Sequence, residues 1–117
     1  MARLSTHVLD ISLGKPAAGL RIDLFQIDEG GRRHCRCAVT DAEGRTAEPL
    51  LAGELIPRGV YELVFAVGDY FRERGVPLAD PPFLDQVVIR IGIAEERGHY
   101  HVPLLVSPYA YSTYRGS

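Results

Sequence analysis

The sequence predicts an all-β fold, a sandwich of two packed sheets with one short helix. Apolar and polar residues alternate over short runs, as at Leu20, Ile22 and Leu24. Clusters of Gly, Pro and Asp punctuate these runs, and only one stretch reads as helical. A single open sheet of about eight strands would leave an apolar face wet, so two layers are the economical solution.

Taken in order, residues 4–13 form the first run, closed by Gly14-Lys15-Pro16, and residues 20–28 form the second. Glu29-Gly30-Gly31 is a hairpin turn into residues 33–40, and Asp41-Ala42-Glu43-Gly44 turns the chain again. Residues 45–56 are a weaker stretch that ends at Pro57-Arg58-Gly59, and residues 60–67 are a strong strand. Residues 69–75 read as a helix with Asp69 as N-cap and Gly75 as the C′ residue. Pro77, Pro81 and Pro82 keep the chain irregular until a strand over 86–95. Gly98 opens a final hairpin, with strands over 99–107 and 109–114 joined at Ser107-Pro108.

Composition excludes several classes of function. The 117 residues suit one domain, 46% apolar and 24% charged, which describes a soluble globular chain. The net charge of −2, with acids and bases interspersed, leaves no basic footprint for nucleic acid. No apolar run approaches the roughly 20 residues that span a bilayer, so no membrane partner is expected. The first residues lack the apolar segment of a signal peptide, and Arg115-Gly116-Ser117 is not a peroxisomal address. A cytoplasmic location is the expectation. On a strand, Cys35 and Cys37 would share a face roughly 6–7 Å apart, a poor span for a disulfide. Free, buried or half-buried thiols are expected. His34 adjoins them, but no second ligand pair stands at zinc spacing, so no metal is expected.

The last long strand is the informative one. Tyr100, Val102, Leu104 and Val106 make an apolar stripe that should enter the core. His99, His101, Pro103, Leu105 and Ser107 then face outward, a mixture that suits a site or an interface better than plain solvent. In the first strand Ser5, His7, Leu9 and Ile11 oppose Leu4, Thr6 and Val8, and alternation does not say which set is inside. In the final strand Ala110, Ser112 and Tyr114 share a face, opposite Tyr109, Tyr111 and Thr113. If the strands bearing His7, His101 and Tyr114 adjoin, these side chains converge. Taken singly each has an ordinary explanation: a surface histidine, a solvated Arg45 after a turn glycine, an edge tyrosine, a frayed end.

Residues 4–10 (Leu-Ser-Thr-His-Val-Leu-Asp) and residues 99–117, ending Tyr114-Arg115-Gly116-Ser117, closely resemble the transthyretin-related 5-hydroxyisourate hydrolases. Thr40-Asp41-Ala42-Glu43-Gly44-Arg45-Thr46 is similar to that family's arginine-bearing segment, and Gly68-Asp69-Tyr70-Phe71 to its helix entry. The resemblance spans essentially the whole chain. It implies a transthyretin-like sandwich of two four-stranded sheets over residues 1–117, assembled as a homotetramer, a dimer of dimers, with sites in the channel between dimers. It further implies cofactor-free hydrolysis of 5-hydroxyisourate to 2-oxo-4-hydroxy-4-carboxy-5-ureidoimidazoline, in urate and purine degradation. His7, Arg45 and His101 would be catalytic. His7, Arg45, Ser112, Tyr114, Arg115 and Ser117 would bind substrate, with His99 peripheral.

Imidazoles near their reference pKa of about 6.5 suit water activation, and a guanidinium fork suits polarising a carbonyl. Transthyretin itself resembles the chain around Ser107-Pro108-Tyr109 but differs at the positions of His7, Arg45, His101 and Tyr114, which favours the enzyme. Two rival readings are a transthyretin-like module that binds or transports a small molecule without turnover, and an immunoglobulin-like interaction domain.

Overall fold

The computed structural model describes residues 1–117 as two β-sheets packed face to face, with one helix. In the first sheet β1 (Ala2–Asp10) runs parallel to β8 (His99–Val106), in register from Arg3 opposite His99 to Asp10 opposite Val106. A short β9 (Tyr111–Thr113) pairs antiparallel with the far edge of β8, after a turn closed by the Ser107 amide on the Ala110 carbonyl at 2.8 Å. The other edge of β1 is shared by β2 (Lys15–Pro16) at one end and β5 (Leu51–Gly53) at the other. An isolated bridge between His7 and Arg45 lies between them. Five strands therefore fill four positions across this sheet.

The second sheet is antiparallel and consists of β3 (Arg21–Asp28), β4 (Gly31–Val39), β6 (Gly59–Phe65) and β7 (Val87–Ile93). Its order is β4-β3-β6-β7. The core lies between the sheets, where Leu4, Val8, Leu104 and Val106 of the first meet Ile22, Leu24, Leu63 and Phe65 of the second. The expected β8 stripe of Tyr100, Val102, Leu104 and Val106 is buried. The structure also decides the open question in β1: Ala2, Leu4, Thr6, Val8 and Asp10 face inward, so His7 faces out.

Three local expectations need correction. The helix α1 (Val67–Glu73) starts two residues before the expected Asp69 cap. Ala66 occupies the N-cap without a side-chain bond, and the Gly68 amide is met instead by the Asp85 carbonyl at 2.9 Å. Asp69 sits in the first turn, where it favours the helix dipole and pairs with Arg72 at 3.0 Å. Gly75, with φ of 74°, follows the C-cap as expected. Residues 45–56 hold only the three residues of β5. The two thiols are free but do not share a face. A bulge opposite Leu24 and Phe25 absorbs one residue of β4, so Cys35 packs against the core while Cys37, opposite Asp23, is exposed. No helix is long and apolar enough to cross a membrane.

Candidate functional site

The parallel β1–β8 register places chemistry in rows on the outer face. Arg3 lies beside His99, Ser5 beside His101, His7 beside Pro103 and Leu9 beside Leu105. Ser5 Oγ and His101 Nδ1 are 2.9 Å apart, a bond that orients the imidazole. Burial, followed by the nearby charges of Arg45, His7 and Arg3, holds the His101 pKa below its ordinary 6.5. The ring is therefore neutral at pH 7.

Arg45 reaches this face because of the turn before it. The Asp41 carboxylate accepts from the amides of Glu43 at 2.9 Å and Arg45 at 3.2 Å, and the Gly44 amide bonds the Asp41 carbonyl at 2.9 Å. Gly44 has φ of 77°, and a β-carbon there would collide with the Val8 carbonyl, so only glycine brings this turn so close to β1. The turn is fastened twice: the Val8 amide donates to the Gly44 carbonyl at 2.8 Å, and His7 Nε2 lies 2.8 Å from the Glu43 carbonyl. A carbonyl only accepts, so His7 Nε2 carries a proton, and in the neutral ring the lone pair is on Nδ1. His7 thus clamps the segment that presents Arg45.

The other edge of β8 is closed by the C-terminal residues. Pro103 has no N–H to give and the β8–β9 ladder stops there, with Thr113 Oγ1 donating to the Pro103 carbonyl at 2.7 Å. The ladder resumes in the same register at Gly116, whose amide donates to the His101 carbonyl at 2.8 Å. The Arg115 guanidinium lies 4.2 Å from the centre of the Tyr100 ring and donates to the His99 carbonyl at 3.2 Å. The end is tied down on a segment type that usually frays.

These elements enclose a cavity of about 350 Å³ whose lining includes Arg45, His101 and Ser117. His7 stands beside it, outside the lining. Tyr114 and Arg115 line a neighbouring cavity of about 360 Å³, which His101 also borders and to which Ile89 and Ile91 add an apolar wall. Tyr114 is 61% exposed in the single chain, and Ser112, opposite Leu105, is exposed outside both cavities. His99, expected to be peripheral, lines the first cavity, though its Nε2 is engaged by the Met1 carbonyl. Sequence reasoning missed Arg3, Ser5 and Thr46, which also line it. Alternation along β1 puts Arg3 and Ser5 on the face of His7, the one signal that pointed to them. No three His, Cys, Asp or Glu side chains converge to hold a metal ion.

Comparison with known proteins fits this geometry. The chain is 56% identical over 115 residues to 5-hydroxyisourate hydrolase 2 of Rhizobium meliloti (strain 1021), covering 98% of this chain and 96% of that protein. Among solved structures, the Klebsiella pneumoniae 5-hydroxyisourate hydrolase superposes with a TM-score of 0.81 at 38% identity, covering 100% of both chains. An (S)-allantoin synthase superposes at 0.92 with 41% identity, and there the chain, 99% covered, spans 44% of the longer protein. Sea bream transthyretin in complex with thyroxine superposes at 0.86 with 28% identity, covering 97% and 94% of the two chains. The model of the HIUase/Transthyretin family matches residues 4–116, the span that carries both paired edges of the site, and the chain belongs to that family.

Proposed function

We propose that this protein hydrolyses 5-hydroxyisourate to 2-oxo-4-hydroxy-4-carboxy-5-ureidoimidazoline, a step of urate and purine degradation. The observation that carries the reading is the pairing, on one cavity, of the Arg45 guanidinium with a His101 imidazole kept neutral. Relatives named 5-hydroxyisourate hydrolase supply the substrate.

Hydrolysis needs a base for water and a donor for the oxygen that gains charge. With Nδ1–H donating to Ser5 Oγ, His101 Nε2 keeps its lone pair and takes the water proton. Arg45 donates to the carbonyl under attack and stabilises the negative charge that develops there. His7 keeps the Arg45 turn in place and brings its own Nδ1 to the same face. Ser117 contributes a hydroxyl to the cavity. Tyr114, Arg115 and Ser112, which lie aside in one chain, join the site in a homotetramer, a dimer of dimers with its channel on this face. The half-buried Leu9 and Leu105 and the buried Pro103 on an outer face favour such packing. A cytoplasmic location belongs to the same reading.

The test follows the decay of freshly generated 5-hydroxyisourate by ultraviolet absorbance. Purified protein should accelerate it, and His7→Ala, Arg45→Ala and His101→Ala should each lose about a hundredfold or more with the fold intact. Decay no faster than in buffer, with tight small-molecule binding, would favour the transport reading that the likeness to transthyretin suggests.

A further inference from the structure

The cavity carries one cation more than this mechanism uses. Arg3 lines it together with Arg45, His99 and His101; no aspartate or glutamate does, and the main-chain carboxylate of Ser117, the one acidic group in the lining, forms no ion pair with Arg3. The chain as a whole is net −2, so positive charge is concentrated here against the overall balance. Arg21, Arg32, Arg36, Arg72 and Arg90 are paired with carboxylates, while Arg74 and Arg115 lie over tyrosine rings. Arg3 belongs to none of these pairs. Its backbone is nevertheless held: the Arg3 amide donates to the Gly98 carbonyl at 3.1 Å, and β1 is flanked there by Ala52 and His99. An unpaired guanidinium on a fixed base is a receptor for an anion.

The proposed reaction makes such an anion. Water adds across the acyl C–N bond, its oxygen to the carbonyl carbon and one proton to the released nitrogen. The carboxylic acid so formed gives up its proton to solvent and is a carboxylate at neutral pH. The product therefore bears a carboxylate that the substrate lacked, and an arginine fork matches a carboxylate in two parallel hydrogen bonds.

We propose that Arg3 is the residue that receives the product carboxylate at the mouth of this cavity, drawing the opened end of the ring away from Arg45 and His101. The inference rests on the hydrolase reading, and one experiment separates the two. Progress curves of 5-hydroxyisourate decay are recorded with and without added fresh product for wild type, Arg3→Gln, Arg3→Lys and, as a charge control outside the cavity, Arg58→Gln. In Arg3→Gln the product inhibition constant should rise about tenfold, with the initial KM within about twofold. Arg3→Lys should restore part of the inhibition, because it keeps the charge but not the fork, and Arg58→Gln should behave as wild type. Circular dichroism verifies the fold of each variant. Unchanged product inhibition in Arg3→Gln, or an equal change in Arg58→Gln, overturns the proposal and leaves the hydrolase reading standing. A wild type that does not accelerate decay overturns both.

Discussion

Gly116 lies flat against the imidazole of His101: a β-carbon on Gly116 would stand 2.6 Å from Cδ2 of that ring. The contact joins the amide that extends the β8 ladder to the side chain proposed to move the proton. Gly116→Ala should therefore displace the His101 ring, lowering turnover by about tenfold or more while the melting temperature changes little. Activity and thermal unfolding measured on the same preparation check this. Wild-type turnover in Gly116→Ala would show that the ring tolerates the shift.

Gly44→Ala acts on the opposite edge. The positive φ and the approach to the Val8 carbonyl together make the substitution strained, at a cost of about 1–3 kcal/mol in a urea titration. Because the turn carries Arg45, activity should fall further than stability predicts. Asp41→Ala, which removes the acceptor for two turn amides, should reproduce the loss of activity.

The depressed His101 pKa has a direction that kinetics can read. A lowered value keeps the ring in its basic form as pH falls, so the acid limb of kcat/KM should lie below about 6.5. Burial is the main cause, and Arg45, His7 and Arg3 add to it. Arg3→Gln should move that limb upward towards 6.5, because it removes a repelling positive charge. A downward movement would contradict the assignment.

Asp10 is buried with 1% exposure and accepts from the Tyr70 hydroxyl at 2.9 Å and from the Ser12 amide at 3.0 Å, tying α1 to the end of β1. Burial and the Asp10 bond push the Tyr70 pKa up to about 12. The unfolded chain ionises near 10, so stability should decline as pH rises from about 10 through about 12. Tyr70→Phe should cost about 1–3 kcal/mol at neutral pH and make that decline shallower, the raised Tyr61 leaving a remainder, as equilibrium unfolding would reveal.

Leu105→Asp places a charge on the outer face without touching His7, Arg45 or His101. It should reduce the assembly seen by light scattering and lower turnover with it. A proven monomer with full activity would overturn the intersubunit site.

The parts of this fold legible in the sequence are those where one face is uniformly apolar. The β8 stripe has period two and no polar interruption, so the outward position of His101 follows from it. β1 mixes Thr6 and Asp10 with apolar residues on its inner face, and Leu9 sits on the outer one, so only its neighbours decide how His7 points. Residues 45–50 have no alternation at all; their place is set by the hydrogen bonds at either end, Gly44 to Val8 and Leu50 to Leu4. The bulge at Cys35 is invisible because no glycine marks it. Arg3 reads as a solvated charge until its register with His99 is known. The roles of His7, Arg45 and Tyr114 came from the family resemblance, since no local pattern sets them apart.

The bond between Ser5 and His101 spans 96 positions of the chain, across strands that pair in parallel. Such contacts form late and slowly, because a long loop must close before they repay its entropy. During synthesis the first half of the site leaves the ribosome long before its partner strand exists. A nascent chain therefore lacks the Ser5–His101 row, and with it the parallel edge of β1, until β8 has emerged.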